Sequence, residues 1–216
     1  MLLRDNVYES LRSDILTCRL APGDDMREQE LAERYSVSRQ PVREALLRLE
    51  REHLVTVQPR QGYRVNPISL SDARDILRFR RVLEPACVVE AIESATSDVL
   101  GALDQFRHFT GDHEDFIAYN RGFHSALAHA SGNRRMAAAL SDLIGQSDRL
   151  IRVSLANLKG HDPMRLVAEH VSLIEAMQRR DARSAARIIK AHVGQTEKRV
   201  LPALKRNAVI VDAREA

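Results

Sequence analysis

The hydrophobic period changes twice within the first 66 residues. Leu3, Val7, Leu11 and Ile15 recur at four-residue steps, which predicts a helix over 3–17. Leu20-Ala21-Pro22-Gly23-Asp24 punctuates it with a turn. A second, short helix fits Glu28 to Tyr35, with Leu31 and Ala32 inward, and Ser36-Val37-Ser38 makes a tight connection. A third helix follows from Arg39 to about Glu52, with Pro41 in its first turn, where a missing N–H costs little. On a wheel at about 100° per residue its Val42, Ala45, Leu46 and Leu49 share one apolar arc. Ser38 stands where its hydroxyl can accept a bond from a free first-turn amide. Beyond the helix the period shortens. Leu54-Val55-Thr56-Val57 and Tyr63-Arg64-Val65 are β-rich runs around Gln58-Pro59-Arg60-Gln61-Gly62, a hairpin with a basic tip. Three helices and a hairpin in this order predict a winged helix-turn-helix over residues 1–66.

Pro67 then blocks helix, and residues 67–70 read as a linker. From Ser71 onward a helical period dominates, with six helices expected near 71–94, 97–109, 112–130, 133–157, 163–179 and 181–205, the last capped by Asp181. The expected architecture is mainly α: a winged helix-turn-helix followed, over 71–216, by an all-α antiparallel helical bundle.

Composition narrows the function classes. No apolar run approaches a membrane span and the N-terminus lacks a signal-peptide core, so a cytoplasmic protein with no membrane partner is expected. Two cysteines, Cys18 and Cys87, argue against a disulfide framework or a Cys-based zinc site. A net charge of +3 says little, but its sorting says more. Asp24, Asp25, Glu28, Glu30 and Glu33 crowd one segment, whereas residues 38–64 hold six Arg against three Glu. Arg39, Gln40 and Arg43 fall together beside the apolar arc of the third helix. Arg can bond guanine, and Gln adenine, by paired hydrogen bonds in a major groove. The spacing also leaves open a solvated surface on which these arginines pair with Glu44 or Glu33.

The run from Leu31 through Ser38-Arg39-Gln40-Pro41-Val42-Arg43-Glu44 to Leu46, then Leu49-Glu50 and Gly62-Tyr63-Arg64-Val65, resembles the GntR family of transcriptional regulators over residues 5–66. The resemblance implies DNA contacts by Ser38, Arg39, Gln40 and Arg43, and by Arg60 and Gly62 on the wing. Two departures stand out. Gln29 replaces an arginine that touches DNA in a related regulator, and His53 replaces the usual glycine after the recognition helix.

In the helical segment three histidines sit on otherwise apolar helix faces: His124 with Asn120 one turn before it, His170, and His192. His53, His108, His113, His129 and His161 fit no pattern. Each of the three, taken singly, reads as a satisfied core residue; together, on successive helices, they suit a bundle metal site, for Zn²⁺ or Ni²⁺. Arg80, four residues before Glu84, suits an effector carboxylate or a simple helix pair with that Glu. Arg80-Arg81-Val82-Leu83-Glu84-Pro85, Asn120-Arg121-Gly122-Phe123-His124, Ser131-Gly132-Asn133, Glu169-His170 and Ala191-His192-Val193 look like the ligand-sensing FCD domain of FadR-type members, over about 70–205. That resemblance implies a metal held by His124, His170 and His192 with Asn120 at the position of the usual Asp, a small carboxylate effector near Arg80, and a homodimer on a two-fold operator. It implies a repressor released by its effector. An uncharged amide at 120 also leaves a metal-free sensor open. A metallohydrolase is disfavoured, because no carboxylate accompanies the histidines at recognisable spacing and Glu169 is expected to point elsewhere.

Overall fold

The computed structural model describes residues 3–154, 162–206 and 210–211. They form two compact units, one reaching to Leu70 and taking in the strand at 210–211, the other spanning Ser71–Arg206.

The first unit opens with α1 (Leu3–Leu16), then β1 (Asp25–Met26), α2 (Glu28–Arg34), α3 (Arg39–Arg51), β2 (Val55–Gln58) and β3 (Gly62–Val65). Val7, Leu11 and Ile15 of α1 pack into one core with Leu31, Val42, Leu46 and Leu49; the side chain of Leu3 lies outside the described residues. Asp14, almost fully buried, ties the turn together: it accepts from the Tyr35 hydroxyl at 2.7 Å and meets Arg19 at 2.6 Å and Arg34 at 2.8 Å. Ser36 (φ 54°) and His53 (φ 56°) are both left-handed, so the position where glycine was expected has the backbone that favours glycine. Ser38 has the extended N-cap backbone, but among the described residues its hydroxyl makes no cap bond; it is exposed to solvent instead.

The wing is a three-stranded sheet in the order β1-β3-β2, antiparallel, with Val55 opposite Val65 and Gln58 opposite Gly62. The strand β1, not expected from the sequence, pairs Asp25 with Arg64 and Met26 with Tyr63. Gly62 explains its closeness: at φ 113° an added Cβ would lie 2.4 Å from the Met26 carbonyl oxygen. Residues read as linker include β4 (Ile68–Ser69), which pairs in parallel with β5 (Ile210–Val211). The second compact unit therefore stops at Arg206, short of the boundary read from the sequence.

In the second unit come α4 (Leu70–Ser94), α5 (Ser97–Gly101), α6 (His113–Ala130), α7 (Arg134–Ser154), α8 (Pro163–Gln178) and α9 (Ala182–Leu204). The single helix expected over 97–109 is α5 followed by a 3₁₀ segment, Ala102–Phe106. The expected end of α7 at 157, and His161, lie outside the described residues. Asp162 and Asp181 cap α8 and α9, accepting from Met164 N and Ser184 N at 3.0 Å each. Phe123, Leu127, Leu173, Ile174, Ile189 and Val193 form the main core of the bundle. Among the described residues no helix is long and apolar enough to cross a membrane.

Candidate functional site

Two places gather the residues singled out above. On the first unit, Arg39, Gln40 and Arg43 project from the exposed first turns of α3 and each has a local partner. Arg43 donates to both carboxylate oxygens of Glu28 at 2.9 and 2.8 Å. Arg39 donates to the Gln29 side-chain oxygen at 2.8 Å, and Gln40 to Glu44 at 3.0 Å. The acid that meets Arg43 is thus on α2, and neither Glu44 nor Glu33 takes that place. The paired bonds from Arg43 hold the Glu28 carboxyl below its ordinary range. An exposed pair of this kind is weak and screened by solvent, so a phosphate or a base edge can displace it. Arg60 is exposed at the wing tip with φ 66°, and Arg64, deeper in the wing, is held by Asp25 at 2.7 Å.

The helical unit brings His124 of α6, His170 of α8 and His192 of α9 together in its interior. One ligand nitrogen from each ring lies within 4.8 Å of the others, and all three residues are buried. Their remaining nitrogens are committed. His124 Nδ1 meets Glu84 at 2.7 Å, and His192 Nδ1 meets Glu169 at 2.7 Å. The Tyr119 hydroxyl donates to the Phe106 carbonyl oxygen at 2.6 Å, so it accepts from His170 Nδ1 at 3.2 Å. Burial pushes the Tyr119 hydroxyl up to about 12, which keeps that proton in place. With Nδ1 donating, a neutral imidazole carries its lone pair on Nε2. His170 Nε2 is buried and, among the described residues, has no hydrogen-bond partner.

Electrostatics keep the His124 and His170 rings neutral. Burial pushes His124 down to about 4 against the pull of Glu84. It also drives His170 well below the ordinary histidine range, helped by His192 and His124. Glu84 is the opposite case: burial would raise its carboxyl, but Arg80 and His124 together hold it down at about 2. Imidazoles oriented from behind by a hydrogen-bond acceptor on Nδ1, with Nε2 free, are the form in which histidine binds a transition metal. The three histidines therefore fit such an ion, and the bare His170 Nε2 is the observation that says so. Asn120, nine-tenths buried and one turn before His124, is the neighbouring oxygen donor.

A cavity opens beside the cluster, lined by Phe116, Ile117 and Asn120 of α6, Ile151 of α7, Leu166 of α8, and His192, Thr196, Arg199 and Val200 of α9. Arg80 is not on its wall. It lies buried against Glu84 at 2.7 Å, the helix pair that the spacing had left open. Sequence reasoning missed Glu84 and Glu169 as partners of the histidines, and the expectation that Glu169 points away is corrected: it reaches from α8 to α9. Nothing in local spacing signals a bond between helices. Thr196 and Arg199 had a signal that went unused, since 192, 196 and 199 fall on one helical stripe.

Comparison with known proteins agrees with both halves. The family of bacterial regulatory proteins called gntR matches residues 3–65, and the FCD domain matches residues 75–195. A transcriptional repressor of Escherichia coli, RspR, is 28% identical over 204 residues, covering 92% of this chain and 89% of the relative. A helix-turn-helix transcriptional regulator of Streptomyces ambofaciens is 31% identical over 202 residues, covering 88% of this chain and 81% of that one. In fold the chain is similar to E. coli McbR/YncC, with a TM-score of 0.80, 24% identity, and coverage of 90% of this chain and 95% of that one.

Proposed function

Given that the chain belongs to the GntR family of bacterial transcriptional regulators and carries the FCD domain, we propose that it is a repressor whose grip on an operator is set by a small organic acid bound beside a divalent metal. As a family member it is a DNA-binding regulator rather than an enzyme. The name of its E. coli relative RspR supports repression as the direction of control. Ser38, Arg39, Gln40 and Arg43 at the start of α3 are the groove-reading set, with Arg60 and Gly62 at the wing. A helix-turn-helix places those first turns against base edges, and a two-fold operator needs two copies, which supports a homodimer.

In the helical unit His124, His170 and His192 would hold the metal, with the Asn120 oxygen as a neutral fourth ligand. When bound, the ion supplies a Lewis-acid centre to which a carboxylate can attach. Glu84 and Glu169 fix the His124 and His192 rings by accepting hydrogen bonds from Nδ1, and the Tyr119 hydroxyl does the same for His170. Arg80 neutralises Glu84. The observation that carries the reading is the buried His170 Nε2 among three oriented imidazoles.

Elemental analysis of protein purified without chelator or tag-borne metal should find near one Zn or Ni per chain, and His170→Ala should lose it. Equal trace amounts in both would remove the metal. The amide at Asn120, which brings no charge, favours that second, metal-free form of the sensor. For the reading helix, Arg43→Ala should cost roughly 1–3 kcal/mol at a cognate operator and relax base preference. Unchanged binding in a gel-shift titration would take Arg43 out of the groove.

A further inference from the structure

The cavity beside the histidines contains about 440 Å³ of empty space, including what is open to solvent. Phe116, Ile117, Ile151 and Leu166 make most of it apolar. Its polar groups are few, and two of them stand out. Arg199 is half-buried on the wall, its Nε donating to the Gln195 carbonyl oxygen of its own helix at 3.3 Å. Among the described residues no carboxylate lies within ion-pair distance of it. Burial works against its charge, with Glu169 offsetting part of that cost from a distance. Asn120, nine-tenths buried on the same wall, has no side-chain hydrogen-bond partner among the described residues. An amide there can donate through Nδ2 to an anion that a carboxylate would repel, and its oxygen stays available to a metal.

We propose that Arg199 and Asn120 clamp the effector's carboxylate, and that the effector is an apolar monocarboxylic acid rather than a dicarboxylic or polyhydroxy acid. The proposal rests on the reading of the helical unit as an acid sensor and deepens it. Apart from the metal, Arg199 is the charged side chain lining this wall, and a second carboxylate or a row of hydroxyls directed away from it would be buried against Phe116, Ile117, Ile151 and Leu166 without partners. Arg80 is unsuited to this role because it is already neutralised by Glu84.

The test is calorimetric titration of the full chain with benzoate, hexanoate, succinate and gluconate, with thermal melts to verify folding of each variant. Benzoate or hexanoate should bind most tightly. Arg199→Gln should weaken that binding by about tenfold or more, as expected for a lost charge-assisted bond, and Arg199→Lys should recover part of it. Asn120→Asp should weaken the acid yet strengthen Zn²⁺, a pair of opposite signs that general loosening of the bundle does not produce. If an apolar acid binds wild type and Arg199→Gln alike, Arg199 is not the clamp, although the sensor survives. Tighter binding of succinate or gluconate overturns the ligand class and again spares the sensor. If none of the four acids binds wild type or releases it from operator DNA, the proposal and the sensor reading fall together.

Discussion

Single buried charges in the helical unit are treated in two ways. Glu84 is held between the Arg80 guanidinium and the His124 Nδ1–H and stays ionised. Asp148 is buried too, yet its nearest cation, Arg121, is at 3.6 Å, too far for a hydrogen bond, and its Oδ2 has no such partner among the described residues. Burial outweighs Arg121, Arg80 and Arg152 and pushes its carboxyl up from 3.8 to about 6. Between those two values the folded state holds more protons than the unfolded one, so stability falls as pH rises through the window. Asp148→Asn removes that titration. Urea melts at a series of pH values should show the variant gaining on wild type from about pH 4 to 6, by about 3 kcal/mol at most. A gap that stays flat with pH would mean that Asp148 is ionised throughout. None of this was legible in the sequence, where Asp148 is one acid on an amphipathic helix. Arg80–Glu84 was legible because a helix fixes residues four apart, whereas Glu84–His124 and Glu169–His192 depend on how helices pack.

Elements were legible in proportion to their length. Each long α-helix repeats its apolar stripe over several turns, and the reading placed their described ends within a residue or two. The strands β1, β4 and β5 have two residues each, too few to show a period, and β1 exists because Gly62 lets β3 lie against Met26. The 3₁₀ stretch Ala102–Phe106 looks like helix because Ala102, Leu103 and Gln105 are good helix formers. The wing is therefore a test of a single atom. Gly62→Ala would put a methyl group 2.4 Å from the Met26 carbonyl oxygen at φ 113°, so β1 must move or β3 must twist. The cost expected for such a forced backbone is about 1–3 kcal/mol. Hydrogen exchange should rise at the β1–β3 amides and leave α4 to α9 unchanged. Operator affinity should drop with it if the wing tip at Arg60 touches DNA. Exchange that remains at the wild-type level would show that the sheet absorbs the methyl group without loosening.

At the scale of the whole molecule the sequence gives two units and the family gives them a shared purpose, but coupling is a thermodynamic property that neither unit carries alone. The reader is nearly neutral, with Arg39 and Arg43 engaged on Gln29 and Glu28. Its affinity is then the balance between these weak contacts and those offered by the operator, and a modest bias is enough to shift it. An effector alters operator affinity only insofar as it binds the DNA-competent and DNA-incompetent forms unequally, with typical couplings of about 1–3 kcal/mol, or roughly 5–150-fold. Linkage makes the effect reciprocal. If an acid weakens operator binding by a given factor, saturating operator DNA must weaken acid binding by the same factor. Two titrations check this on one preparation: operator affinity by fluorescence anisotropy with and without the acid, and acid affinity by calorimetry with and without operator. Equal factors are expected. Acid binding that is indifferent to operator, beside operator binding that responds to acid, would break the cycle and point to an acid acting on the DNA or on aggregation. If Arg43 reads the groove as proposed, Arg43→Ala should lower operator affinity in both arms and leave the ratio between them unchanged.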